Sequence, residues 1–226
     1  MFTTLSVPLL FGIFAVIFIA AIIYHTISER KRQTALQQLA ASLNFRFSAH
    51  EDRGIAKRFH FLEHFGMGSN RYAQHIFTGE SGGEAVSFFE YHYQTSSSDS
   101  DGNSKTQHHY FSVFTLSMPR SFPELVIKPE GFFAKLTQAF GFDDIDFESL
   151  EFSKRYQVES RDKKFAYDFC NARMIDYLLN KQNLVIEVER HTLALTYRGK
   201  LSAHTSLGRL RQLQQIRSLI PSHLFT

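Results

Sequence analysis

The chain has 226 residues, 43% of them hydrophobic, which is enough for a packed core in one good-sized domain or two small ones. Its net charge of +3 is too balanced to indicate nucleic-acid binding, and a single cysteine, Cys170, excludes an internal disulfide. We find no phosphate-binding glycine loop, no dinucleotide fingerprint and no serine-nucleophile motif. These observations predict a globular protein and point to no common enzyme class.

The segment 5–27 is almost free of polar residues, and a bilayer core about 30 Å thick needs about 20 helical residues. No Lys or Arg precedes residue 30, and the apolar run is long for a cleavable signal peptide. A basic cluster, 29–32, follows directly, and the positive-inside rule places it in the cytoplasm. We therefore predict a single-pass anchor at 1–27 that contacts lipid through 5–27, with its N-terminus outside and the rest of the chain in the cytoplasm.

The segment 28–44 carries apolar residues at positions 36, 39, 40 and 43, a spacing typical of an amphipathic helix. We predict a stalk helix at 28–44 and a cytosolic domain at 45–226, which could have two halves that meet near 141.

The remaining pattern predicts an α+β fold, with antiparallel sheet hairpins and packed helices, because strands and helices are segregated along the chain. Glycines at 82 and 83 favour a tight hairpin, and the polar stretch 95–107 favours a long hairpin loop. A second hairpin is predicted around 190–192. The predicted helices are 55–65, 129–141, 162–180 and 205–220, and the predicted strands are 71–77, 84–93, 108–118, 124–128, 184–189 and 193–198.

His60, Glu63 and His64 spell H-x-x-E-H, the inverted zinc-protease motif. On a helix the two histidines would share one face, and the glutamate could polarise a metal-bound water. A third ligand would still be needed, and Glu124 or an acid within 143–151 could be nominated for it. The aromatic residues around the motif instead favour a packing element. We expect no catalytic residue and no cofactor, and these three residues stand as the metal candidates.

Three other features favour structural interpretations. The stretch 99–104 begins like a calcium loop but lacks its glycine and its final glutamate, as a solvated hairpin loop would. In the acidic run 143–151 the acids mostly alternate with apolar residues, as in a half-buried strand. Cys170 lies between apolar residues, where a small thiol packs well.

The C-terminal helix carries Arg209, Arg211 and Arg217 and could lie on anionic lipid. At about 100° per residue, however, Arg209 and Arg217 project among leucines. This pattern favours a docked helix whose arginines extend to solvent.

The anchor, the basic cluster, the "LAASLNF" segment at 39–45 and the aromatic-rich segment "FSKRYQVESRDKKFAYDF" at 152–169 resemble a group of bacterial proteins. These are single-pass membrane-anchored proteins that carry a cytosolic domain of unknown function. The resemblance implies a location in a bacterial inner membrane and transfers no functional residues.

The sequence thus predicts a membrane-anchored binding or adaptor domain, an accessory of a membrane-associated assembly with a protein partner at the membrane and no nucleic acid. Anchoring supports this hypothesis because it raises the local concentration toward membrane-bound partners. The alternatives are a metal-dependent hydrolase that uses His60, Glu63 and His64, and an anionic-lipid-binding surface on the C-terminal helix.

Overall fold

The computed structural model describes residues 7–98, 104–130, 145–181 and 184–226, with the side chains of residues 7–9, 63 and 64 left outside the described part. The helices in these ranges are α1 (Val7–Leu43), α2 (Arg53–Arg58), α3 (Leu150–Arg155), α4 (Lys163–Phe169), α5 (Ala172–Leu179) and α6 (Ala203–Leu219). The strands are β1 (Arg46–Ser48), β2 (Ser69–Ser81), β3 (Glu84–Ser98), β4 (Ser104–Pro129), β5 (Tyr156–Ser160) and β6 (Val185–Arg198). Two 3-10 turns occur at Glu63–Gly66 and Ser222–Phe225.

The described strands form one antiparallel sheet, which confirms the predicted α+β fold class. Strands β1, β2, β3 and β4 follow one another across the sheet, and the β2–β3 turn uses Gly82 and Gly83 at φ of 65° and 79°. Only glycine adopts such positive φ angles at little cost, so the predicted glycine turn is confirmed. The β3–β4 pairing extends from Val86↔Leu116 to Ser98↔Ser104.

Strand β4 is the longest strand and pairs with three others. It pairs with β3 over 104–116, with β6 from Phe111 to Ile127 and with β5 from Leu125 to Pro129. Strand β4, which lies before the predicted boundary at 141, thus pairs with β5 and β6, which lie after it. Position 141, the predicted helix 129–141 and the candidate calcium residues 99–103 lie outside the described residues.

The predicted hairpin at 184–198 is wrong, because this segment is the single strand β6. Both of its ends pair with β4, as in Phe111↔Arg198 and Ile127↔Ile186. Arg190, at φ 53°, bends the strand without reversing it. The irregular pairing of β4 near Phe122 follows the same bend, so the two strands stay paired through it.

The predicted break between the strands 108–118 and 124–128 is also wrong. Strand β4 continues through Pro119 and Pro123, where the register with β6 shifts between Ser117 and Leu125. A proline cannot donate a hydrogen bond to the ladder and is tolerated at such irregularities.

The predicted helix 55–65 ends early, because α2 stops at Arg58. Beyond it, Leu62 N–H donates to Phe59 O and Phe65 N–H donates to Leu62 O, both at 2.9 Å. This three-residue spacing places Phe59, Leu62 and Phe65 on one side, which a 3-10 turn repeats and an α-helix does not. Phe59 and Phe65 then contact Phe89 on the sheet, at 5.8 and 6.0 Å between ring centroids.

The predicted helix 162–180 is two helices, α4 and α5. Asn171 interrupts it, because its side chain accepts hydrogen bonds from the Arg173 and Met174 N–H groups and caps a new helix. Cys170 lies buried at the break, and burial raises the pKa of its thiol, as expected for a packing residue.

The core has two clusters, one on each face of the sheet, because side chains alternate along a strand. Phe88 belongs to the larger cluster and its neighbour Phe89 to the smaller one. Helices α3 to α6 and the end of α1 cover the larger cluster, and the segment 53–67 covers the smaller one.

Candidate functional site at the base of helix α1

The first part of helix α1 is apolar and is not buried against any other part of the described structure. The helix is long and apolar enough to cross a membrane, and its most apolar stretch is not buried in the protein. Phe11 and Phe14, for example, are 72% and 69% exposed. A soluble domain rarely exposes so much contiguous apolar surface, which suggests a membrane anchor.

The same helix then becomes part of the domain without a break. Leu36 and Ala40 lie one turn apart on one face of α1 and are 0% and 2% exposed in the larger core cluster. Arg32 lies one turn before Leu36 on that face. The predicted stalk segment 28–44 is therefore packed against the sheet over its second half.

Arg32 joins this face to a carboxylate inside the sheet. Its Nη1 lies 2.7 Å from Oε2 of Glu90, whose side chain is completely buried. The Leu201 N–H donates to the same oxygen at 2.9 Å, and the Gln74 amide donates to Oε1. Glu90 thus connects α1, β2 and the turn between β6 and α6.

Glu29 holds Arg32 from the other side. Nε and Nη2 of Arg32 donate to its Oε2 at 3.1 and 2.9 Å, and Lys200 Nζ lies 3.6 Å from Oε1. Burial alone would lower the pKa of Arg32, but Glu90 and Glu29 raise it overall. Burial alone would raise the pKa of Glu29, but Arg32 and Lys200 lower it overall. Both shifts favour the charged forms of Arg32 and Glu29, as in a structural clamp.

The sequence pattern does indicate that Glu90 is buried. It follows Val86 and Phe88 at strand period two, so it must face the core, where a carboxylate needs a partner. The partner, Arg32, lies 58 residues away in the basic cluster 29–32, whose sequence pattern indicates membrane topology only. In the structure the four residues of the cluster 29–32 have different environments. Glu29 and Arg32 contact the domain, while Arg30 and Lys31 are exposed.

His75 lies close to this clamp. The residue is 8% exposed, stands at φ 50° in a β-bulge and stacks on Phe47 at 6.2 Å between centroids. Burial, with the nearby charge of Arg32, lowers its pKa.

This fold has a solved counterpart. The crystal structure of the mycobacterial trehalose monomycolate transport factor A, TtfA, superposes with a TM-score of 0.60 at 15% sequence identity. The match covers 85% of this chain and 97% of that one. No family model matches the chain, and no curated protein matches it. At 15% identity the likeness shows the shared fold.

The metal candidates do not share a helical face as predicted. His60 follows the end of α2 in an exposed turn, with its Nδ1 2.9 Å from Lys57 O, and Glu63 and His64 begin the 3-10 turn. The side chains of Glu63 and His64 lie outside the described part, so the alternative of a metal at this motif stays untested. Among the described residues, no group of three or more His, Cys, Asp or Glu side chains could hold a metal ion.

Helix α6 is docked on the sheet as predicted, but two of its three arginines bond inside the protein and do not extend freely to solvent. Arg209 donates to Ser112 Oγ and lies 4.3 Å over the Tyr197 ring. Arg217 pairs with Glu84 at 2.7 Å. Of the three residues nominated for lipid, Arg211 is exposed, while the other two help to dock α6 on the sheet.

A groove of about 480 Å³ lies between α3, α4 and α5, in the half of the domain that packs on β5. Phe147, Tyr167 and Leu179 line it, and Glu148 and Asp176 add negative charge. Its volume is in the range of small-molecule sites, and its lining suits an apolar group.

Glu124 on β4 and Glu189 on β6 lie near each other on the face of the sheet that carries the smaller core cluster. Each side chain is about 20% exposed. Burial and Glu189 raise the pKa of Glu124 from 4.5, against the opposing effect of Arg161. A raised folded pKa means that the folded state binds the proton more tightly than the unfolded state. This contribution to stability is present below pH 4.5 and is lost as pH rises through the folded pKa.

We therefore expect Glu124→Gln to raise the free energy of unfolding at pH 7 and to change it little at pH 4. Urea unfolding at both pH values, followed by circular dichroism, measures this. Glu148→Gln, at an exposed acid, is the control. A Glu124→Gln protein less stable than the parent at pH 7 would contradict the argument.

Proposed function

We propose that this protein is a membrane-anchored accessory component of a membrane-associated assembly, and that its domain binds a protein partner at the membrane. The observation that carries the proposal is the contact between Arg32 and the buried Glu90. A simple tether needs no such contact, since a flexible linker already concentrates a domain at a surface. A helix fixed in the domain also sets the orientation of the domain, which an assembly requires.

The likeness to the mycobacterial transport factor supports an accessory role, because that protein is itself named for assisting transport. By analogy, we assign this chain to an assembly that transports a molecule. We further propose that the membrane is a bacterial inner membrane. The positive charges of Arg30, Lys31 and Arg32 support a cytoplasmic domain with the N-terminus outside.

Inserted alanines between Ile27 and Ser28 test whether the fixed orientation matters. Two alanines rotate the domain about 200° around the anchor, whereas four return it to within about 40° of its original direction. We expect the two-alanine protein to lose most of the partners that the parent retains, and the four-alanine protein to keep them. The measurement is quantitative mass spectrometry of proteins that co-purify from crosslinked membranes.

Both insertion variants add only alanine at the same site and differ mainly in rotational phase, so lost expression or lost anchoring would affect both. Equal recovery of partners by both variants and the parent would show that orientation is irrelevant. Equal recovery by a variant that lacks residues 1–27 would remove the argument from anchoring itself.

A further inference from the structure

The clamp places the domain very close to the end of the apolar segment. Arg32, which contacts Glu90, follows Ile27 by five residues, or about 8 Å along a helix. The headgroup layer of a bilayer is of similar depth, about 5–8 Å on each side. If α1 is an anchor, as the proposed function holds, the part of the domain beside Arg32 lies among or directly above the headgroups.

The strands show which end of the sheet faces the membrane. The chain after α1 runs to Phe45, whose ring lies 5.8 Å from that of Phe88, whereas Arg32 contacts Glu90. Movement along α1 toward the apolar segment therefore corresponds to movement along β3 from Phe88 past Glu90 to Gln94. On β4, Tyr110 pairs with His92, and the residues before Tyr110 pair with the rest of this end of β3.

The turn between β6 and α6 lies at this same end. Gly199 N–H donates to Tyr110 O at 2.8 Å, and Lys200 Nζ lies 4.9 Å over the Tyr110 ring. Lys200 is 41% exposed and also reaches Glu29. The turn therefore projects a cation beside the base of α1.

The exposed charges that α1 presents at this end are positive, and the exposed acid Glu51, which lies near His92, is paired with Arg53 at 3.6 Å. Arg30 and Lys31 are exposed on α1, and no acidic side chain of the described structure lies within 4.0 Å of either. Glu29, the acid beside them, is already bonded twice by Arg32. Lipid phosphates are the anions that a membrane offers to such cations.

We propose that Arg30, Lys31, Lys200 and the Tyr110 ring form a docking surface for the headgroups of anionic lipids. This surface lies at the base of α1. It differs from the C-terminal helix surface considered from the sequence, where Arg209 and Arg217 bond to residues of β4 and β3. It makes the domain lie against the membrane with the turn 199–201 and the adjoining end of β4 toward the lipid.

Hydrogen exchange of the full chain in nanodiscs tests this surface. One set of nanodiscs contains zwitterionic phosphatidylcholine, and the other adds about 30% phosphatidylglycerol. We expect amides in 199–206 and 104–110 to exchange at least about threefold more slowly with the anionic lipid at low salt, and equally in both lipids at high salt.

Charge-neutral variants locate the effect. Arg30→Gln/Lys31→Gln/Lys200→Gln should abolish the difference between lipids, and Lys200→Gln alone, which leaves the α1 cluster intact, should reduce it. The matched control is Lys154→Gln/Arg173→Gln/Arg211→Gln, which removes three exposed charges from α3, α5 and α6 and should behave as the parent does.

Equal exchange in the two lipids, or a lipid effect that survives in the first triple variant, overturns the proposal. Protection produced by inorganic phosphate in zwitterionic nanodiscs also overturns it, because the site would then bind a free anion. A chain that fails to enter nanodiscs refutes the anchor and with it the proposed function. A chain that enters and shows no lipid effect refutes this inference alone.

Discussion

Replacing Arg32 by methionine is expected to lower the free energy of unfolding by about 3–5 kcal/mol, since this is the usual cost of removing one partner of a buried ion pair. Methionine keeps most of the side-chain length but leaves the Glu90 carboxylate, which is completely buried, without its cation. The remaining donors, Gln74 and the Leu201 N–H, are neutral and cannot replace that charge.

Urea unfolding of the full chain in detergent, followed by circular dichroism, measures the loss. Arg30→Met is the matched control, because it makes the same change two residues away at an exposed position and should stay within about 0.5 kcal/mol of the parent. Arg32→Met/Glu90→Leu should recover part of the loss, since no unpaired charge then remains. If Arg32→Met stays within about 1 kcal/mol of the parent, the clamp does not hold α1 in place.

The clamp matters more for geometry than for total stability. A buried ion pair rarely stabilises a protein more than an apolar pair of the same shape would. It does penalise every arrangement in which the cation and the carboxylate are separated. Helix α1 contacts the domain through Arg32 and then through Leu36 and Ala40. Rotation of the helix by half a turn would therefore bury solvent-facing residues and leave the buried Glu90 carboxylate without its cation.

The sequence predicts the hairpin part of the sheet well, for local reasons. Strands β2 and β3 contain β-branched and aromatic residues, and the two glycines between them permit the positive φ angles that the turn uses. Both features lie within a few residues of each other. The helix α6 and the apolar start of α1 are predictable for the same reason.

The errors come from contacts that are distant in sequence. Nothing near Arg190 tells whether the two flanking strands pair with each other or with β4, whose paired residues lie far earlier in the chain, as in Phe122↔Arg190. The spacing of Phe59, Leu62 and Phe65 suits a 3-10 turn, but the faces of the sheet decide which spacing is used. Likewise, the clamp requires a partner for Glu90, and local pattern does not identify Arg32.

Replacing Phe88 by alanine is expected to cost about 3–5 kcal/mol, as usual for a buried phenylalanine. The ring is completely buried, and its centroid lies 4.2 Å from Phe77, 4.9 Å from Phe114 and 5.8 Å from Phe45. Alanine would leave a cavity at the centre of this row and remove three aromatic contacts. The same urea titration measures it, with Leu150→Ala, at a 74% exposed position, as the control.

The Phe88 ring also joins β3 to the chain that leaves α1, because it contacts the ring of Phe45, which follows that helix. If α1 docks as one unit, a protein whose helix end is already loosened has less to lose from a second change. We therefore expect the losses from Arg32→Met and Phe88→Ala to sum to at least about 1 kcal/mol more than the loss in the double variant. Additivity within about 0.5 kcal/mol would mean instead that the clamp and the aromatic row hold the helix independently, so that α1 does not dock as one unit.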